Sequence, residues 1–339
     1  MEMEVKYFVG VDISKLTFDV ALLKPIGNKE GTITHHQFKQ TADGFSQMKE
    51  WLKKQDVLLN NETLFCMEFT GLYNTPLVSY LTKKKALVWV EMAVRIKKSE
   101  GFARTNNDRT DAIKIARYAF RYQDNKALWS ATDDNLSKIK HLIAQRDRIV
   151  DAISTLTVPV NELKEVGCKS EAKQMESLQK PVIEKLEQSK VDIEAAILKF
   201  VESDSKLSSK VKRITSIKGV GSVTAIAFLV YTNGFTSFET AKQLACYCGV
   251  VPFISKQSGS SIKSRPKVSN FANKKLKRLL HLCAMSAKRF NKDLKAYYEK
   301  KIAEGKNKMS VLNAIRNKLI LRMFALIRDE RDFVENYVR

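Results

Sequence analysis

Apolar positions along this chain follow two rhythms, and the change falls near residue 125. Before it, short runs bunch or alternate at strand length. "KYFVGVD" and "LTFDVALL" read as two strands around a tight turn, and "TITHHQF" as a third. "TADGFSQMKEWLKKQ" starts at a Thr cap and places Phe45, Met48, Trp51 and Leu52 on one helical face. "TLFCMEFT" is a fourth strand, and "LYNTPLVSYLTKKK" a helix with Pro76 in its first turn. "ALVWVEM" is a fifth strand, and "DRTDAIKIARYAFRYQ" a helix striped by Ala112, Ile115, Ala116, Ala119 and Phe120. This order predicts a mixed α/β domain, assigned to residues 1–128.

From Asn135 the spacing becomes helical over long stretches. "NLSKIKHLIAQRDRIVDAISTL" repeats apolar residues at steps of three and four, and "TVPVNELKEVG" is expected to break it. A second helix is expected from Pro181, "PVIEKLEQSKVDIEAAILKFVES". The pair reads as an antiparallel hairpin over residues 129–210, either a dimerising coiled coil or a plain spacer, because its heptads are irregular. A third, mainly α segment covers 211–339. It has short helices on either side of Gly219-Val220-Gly221, a capped helix "FTSFETAKQLACYCGV", an aperiodic loop "VPFISKQSGSSIKSRPKVSN" and a helix "ANKKLKRLLHLCAMSAKRF".

Charge changes this picture. The chain has 59 Lys and Arg against 37 Asp and Glu, a net +22. Such a balance favours a polyanionic partner, with phosphate contacts supplying much of the affinity. Twelve of the basic residues lie between Ile254 and Ala296, against the single acid Asp293. The start "MEMEVKYF" has no signal-peptide pattern, and the longest uncharged stretch, Gly219 to Phe238, is broken by Gly, Ser, Thr and Asn, so no membrane span is expected. Five cysteines fit a reducing cytoplasm, with the protein on nucleoid DNA. Cys246 and Cys248 are too close for a zinc knuckle and are expected to be buried thiols.

The acids bring in the chemistry. Asp12 sits inside an apolar strand, Glu68 near the end of another, and Asp108 and Asp111 open a helix three residues apart, on one face. Each alone has an ordinary explanation: a turn residue, a lysine partner, acids complementing a helix dipole. Taken together, on strands lying side by side, they converge. Clustered carboxylates repel one another, divalent cations relieve that repulsion, and oxygen ligands select Mg²⁺ or Mn²⁺. Two ions about 4 Å apart would clamp the attacking and leaving oxygens of a phosphoryl transfer. This arrangement is that of a ribonuclease-H-like nuclease.

"FVGVDISKLTFDVAL", "MEFTGLYNTPLVSYL" and "TNNDRTDAIKIARYAFR" resemble the RuvC-like domain of the DEDD transposases, the Piv-like recombinases of the insertion-sequence family one hundred and ten. "SIKGVGSVTAIAFL", "AKQLACYCGVVPFISKQSGSSIK" and "ANKKLKRLLHLCAMSA" are similar to that family's C-terminal transposase domain. The resemblance implies that Asp12, Glu68, Asp108 and Asp111 bind the metal. It also implies that Ser258, before the glycine of a Ser-Gly motif, attacks DNA, with Ser260 and Ser261 close in register. After that motif this chain has "KSRPKVSNFANKKLKRLL", where the family typically has a glycine-rich stretch, so the local loop shape departs from the family's. Further implications are donor and target DNA as substrates, a structured bridge RNA as guide, and a homodimer pairing into a tetramer.

"IKGVGS" resembles a helix–hairpin–helix, in which Gly219 and Gly221 would let backbone amides approach a phosphate. A bare Gly-x-Gly turn is also an ordinary tight loop. Lys256, Lys263, Arg265 and Lys267 surround the serine loop, and Lys274, Lys275, Lys277 and Arg278 follow it as further phosphate contacts. Read without the resemblance, this is a serine-rich basic loop touching phosphate. Two other functions compete: a junction-resolving nuclease that uses water, and a non-catalytic basic binding protein whose acids are structural.

Overall fold

The computed structural model describes residues 5–99, 107–129, 134–253, 257–258, 262–263, 267–268, 270 and 272–334. Its contacts divide the chain into two units, Met1–Ala131 and Thr132–Arg339.

The first unit opens with three antiparallel strands, β1 (Tyr7–Ile13), β2 (Thr17–Ile26) and β3 (Lys29–Lys39). Helix α1 (Ala42–Lys53), strand β4 (Thr63–Glu68), helix α2 (Asn74–Lys83) and strand β5 (Leu87–Glu91) follow. The sheet order is β3-β2-β1-β4-β5, with β4 parallel to both of its neighbours. Two helices close the unit: the short α3 (Ala93–Ser99), which the sequence pattern does not announce, and α4 (Asp108–Arg121).

Because successive side chains of a strand face opposite ways, β1 serves two cores. Val9, Val11 and Ile13 join Met48 and Leu52 of α1 and Leu77 and Leu81 of α2. Phe8 joins Ala112, Ile115, Ala116 and Ala119 of α4. Gly10 lies between Phe8 and Asp12 on the α4 side. A Cβ there would stand 2.2 Å from the Ala112 carbonyl oxygen and 2.2 Å from the Ala116 nitrogen. The missing side chain therefore lets α4 rest directly on β1. Phe8 meets Phe120 edge to face at 5.3 Å, which fixes the direction of α4: its last turn lies by Phe8 and its first turn by Asp12.

The second unit contains α5 (Asp134–Glu165), α6 (Lys169–Glu202), α7 (Ser205–Thr215), α8 (Ser222–Tyr231), α9 (Ala241–Tyr247), α10 (Lys274–Phe290), α11 (Lys292–Ala303) and α12 (Lys308–Arg328). Between α9 and α10 lie two-residue strands β6 (Pro252–Phe253), β7 (Gln257–Ser258), β8 (Ile262–Lys263) and β9 (Lys267–Val268). One apolar core joins Leu136, Ile139 and Ile143 of α5 with Ile197 and Val201 of α6 and with residues of α7 to α12. Among the described residues no helix is long and apolar enough to cross a membrane.

Three sequence expectations change here. Pro159 does not break α5; it sits inside it, and the helix ends at Glu165, just before Gly167, whose φ of +91° suits glycine. Pro181 does not start α6 but lies twelve residues in. Both prolines are on exposed positions, so the carbonyls of Thr155 and Ser177, which lose their helical N–H partners, can be hydrated. The stretch expected to be an aperiodic loop holds paired strands, β6 with β9 and β7 with β8.

Candidate active site

Asp12 and Glu68 are brought together by register. β1 and β4 run parallel with Val11 beside Met67, which sets Asp12 beside Glu68 at the carboxyl ends of both strands. Asp108 and Asp111 occupy the first turn of α4. A capping box holds that turn: the Thr110 amide donates to Asn107 Oδ1 at 2.8 Å, and the Asn107 amide donates to Thr110 Oγ1 at 3.1 Å. The close approach at Gly10 then carries the turn to Asp12.

Electrostatics report the same gathering. The Asp12 carboxyl is pushed up to about 6, first by burial and then by the negative charges of Asp108, Asp111, Glu68 and Asp19. Glu68, Asp108 and Asp111 thus each lie close enough to Asp12 to act on its charge. The four acids do not form a finished cage, because among the described residues no three His, Cys, Asp or Glu side chains stand close enough together to hold an ion. Asp111 accepts from the Lys114 ammonium at 2.7 Å. The donor set is all carboxylate, and burial together with the neighbouring charges pushes Asp12 up, which suits a hard divalent cation.

Two further acids border this edge. Asp19 is the cross-strand partner of Asp12 and is 4% exposed. It receives His35 Nε2 at 2.7 Å and Gln37 Nε2 at 2.8 Å. Glu91, beside Glu68 in the β4–β5 register, is equally buried. It accepts from the Met92 amide at 2.7 Å and the Tyr118 hydroxyl at 3.2 Å, and Arg95 lies 3.4 Å away. Burial and Glu91 push the Tyr118 phenol up to about 12. The signal for Asp19 was present, since "LTFDVALL" sets an acid in an apolar run just as Asp12 is set.

In the second unit Ser258 lies on β7, paired with Ile262 of β8. Lys263 is on β8 and an exposed Lys267 is on β9. Lys256, Arg265, Ser260 and Ser261 fall outside the described residues. Lys274 is exposed at the start of α10 and Lys277 is half-buried. Lys275 turns inward, pairing with Asp147 and lying 5.2 Å over the Tyr231 ring. Arg278 stands 3.9 Å from Asp151. Gly219, at φ +101°, packs against α10, where a Cβ would meet the Ala287 backbone at 2.8 Å. Gly221 caps α8 with nothing within 4 Å of a Cβ. Of the two cysteines, Cys248 is buried and Cys246 is exposed.

A mixed sheet in this order, with acids at the ends of its central strands and on the helix crossing them, fits the ribonuclease-H-like class of domain. Residues 9–164 match the model of a DEDD transposase family of IS110 type, and residues 211–299 match one described as the transposase IS116/IS110/IS902 family. The chain belongs to the IS110 family of DEDD transposases. The pilin gene-inverting proteins of Moraxella bovis and Moraxella lacunata are each 27% identical over 339 residues, covering 97% of this chain and 98% of theirs. An uncharacterized 43.6 kDa protein of insertion element IS110 from Streptomyces coelicolor is 35% identical over 116 residues, 34% of this chain and 28% of its own. The chain is accordingly a DNA transposase or recombinase, acting on DNA, in a family that generally depends on divalent metal.

Proposed function

We propose that the chain cuts and exchanges DNA strands through a covalent serine–DNA link, with Asp12, Glu68, Asp108 and Asp111 holding Mg²⁺ or Mn²⁺. The observation that carries the metal reading is the raised Asp12 carboxyl, pushed up first by its burial and then by the charges of Asp108, Asp111 and Glu68 around it. Bound metal would neutralise those acids and stabilise charge on the phosphoryl oxygens. Ser258 is the nucleophile. Its Oγ forms a bond to phosphorus as the bond to a DNA oxygen breaks, and its proton is released. A hydroxyl from a second strand then attacks the phosphoserine and restores Ser258. One phosphodiester is lost and one is made, so no outside energy source is needed.

Residues 129–210 act as a helical spacer between 1–128 and 211–339, and the working assembly is a homodimer that pairs into a tetramer. Donor and target DNA are selected by base pairing with a structured bridge RNA, and the +22 charge supports binding of both polyanions. The test is to trap the protein–DNA adduct with Mg²⁺ and map the modified residue. The adduct is expected on Ser258, to vanish in Ser258→Ala, and to persist in Ser260→Ala and Ser261→Ala. An adduct elsewhere overturns the assignment. Cleavage that persists without any adduct in Ser258→Ala makes water the nucleophile.

A further inference from the structure

Helix α12 carries the buried Arg316 and the half-buried Arg322, and they are treated differently. Arg322 has a compensating charge: its Nη1 is sealed without a hydrogen-bond partner, but the Asp293 carboxylate is 3.4 Å away and the Phe333 ring lies 5.0 Å from its guanidinium. Arg316 has none. It is 8% exposed, and among the described residues no carboxylate is in ion-pair range of it. Its Nε is sealed from solvent without a hydrogen-bond partner. Its Nη2 donates to Nδ1 of His281 on α10. A guanidinium has no lone pair to offer, so the histidine must present an unprotonated Nδ1. Burial, then Arg316 and Lys288, hold the ring below its usual range, so it stays neutral. A neutral ring leaves the arginine's charge uncompensated, and such burial is costly unless an anion completes the site.

The position of this charge indicates which anion. Asn313, one turn earlier on α12, donates Nδ2 to the Val250 carbonyl at 2.7 Å. From there the chain runs through β6 and β7, which carries Ser258, and returns through β9 to α10, which carries His281. Arg316 therefore lies at the root of the Ser258 segment. We infer that Arg316, oriented by His281, forms a phosphate pocket that receives a DNA backbone phosphate beside that segment. The inference rests on the reading that the Ser258 segment meets DNA. Arginine suits the task, since its planar fork meets phosphate with two parallel hydrogen bonds. Arg316 itself lies beyond residues 211–299, the stretch that the transposase family model matches, whereas His281 lies within it.

The full-length protein tests it, with a fluorescein-labelled DNA duplex and an RNA hairpin as probes. Arg316→Met should fold and melt no lower than wild type without nucleic acid, because it removes an unpaired charge. It should bind the DNA duplex about tenfold more weakly, with a log–log salt slope shallower by about 0.9, and bind the RNA unchanged. DNA affinity and slope equal to wild type would overturn the inference, as would a loss confined to RNA. If the methionine variant does not fold, Arg316→Lys keeps the charge without the fork. It should weaken DNA binding about fivefold at an unchanged slope, and unchanged affinity would overturn the pocket. Ser258→Ala run in parallel separates the two readings. Normal binding and normal adduct in Arg316→Met overturn the pocket alone; no adduct in wild type, with the Arg316 effect intact, overturns the serine alone.

Discussion

The two units build their sites on opposite plans. In the first, every candidate group is fixed by the core: Asp12 and Glu68 by strand register, Asp108 and Asp111 by a capped helix that a glycine lets close onto the sheet. In the second, Ser258 rides on a two-residue strand, and the exposed candidate lysines sit on another, Lys267 of β9, and at the start of a helix, Lys274 of α10. The difference matches the tasks. Ligands for an ion must be set within fractions of an ångström, and only a packed scaffold does that. Phosphate contacts act through charge over several ångströms and tolerate surface mobility. Glycine substitutions break the comparison most sharply. Gly10→Ala would drive a methyl into the α4 backbone and should destabilise the first unit by about 3 kcal/mol, with loss of activity. Gly221→Ala, with open space around it, should leave the melting temperature within a degree or two, since surface changes of this kind cost about 0.5 kcal/mol or less. Thermal melting of both variants checks the pair, and similar losses would show that α4 does not rest on β1 as described.

Asp12→Asn comes next in size. Strand exchange should fall at least about a thousandfold, as when a charge-stabilising group is removed from a catalytic site. Stability should move the other way. Because Asp12 titrates near 6 when folded and at 3.8 in the reference state, the native protein holds the extra proton between those values. The metal-free protein therefore loses stability as pH rises from about 4 to about 6, and does not recover it above. Asparagine removes that penalty, so at neutral pH the metal-free variant should be more stable than wild type by on the order of 1 kcal/mol, after allowance for solvent screening. Mg²⁺ should raise the wild-type melting temperature and leave the variant's nearly still. A variant less stable than wild type at neutral pH would mean that the acids are structural.

These two sites also differ in how far the sequence exposes them. The four acids were legible because acids inside apolar runs, or paired at a helix start, are anomalies that local pattern can register. Asp19 and Glu91 are the same kind of anomaly, but their partners, His35, Gln37 and Tyr118, come from other elements, and no spacing rule connects them. The prolines misled because a proline signals a helix end only when its orphaned carbonyl cannot find water; Pro159 and Pro181 face solvent. Strands β6 to β9 are two residues each, too short for any period to register. Lys275 and Arg316 were hidden for a further reason. A lysine in a basic run reads as surface charge and an arginine in an apolar helix reads as nothing in particular, and only tertiary contacts show one beside a carboxylate and the other, among the described residues, without one.

Lys275 therefore gives the finest test of the comparison. Four basic residues in one helix turn would be expected to act alike on phosphate, yet the Lys275 ammonium pairs with Asp147 and covers Tyr231, while Lys274 beside it is exposed. Lys275→Met should cost about 1 kcal/mol of stability, because Asp147 loses its partner, and should leave the salt slope of DNA binding as it was. Lys274→Met should do the reverse: the same melting temperature, and a slope shallower by at most about 0.9. If both variants flatten the slope equally, Lys275 swings out to meet DNA, and its pairing with Asp147 is a resting contact that the nucleic acid replaces.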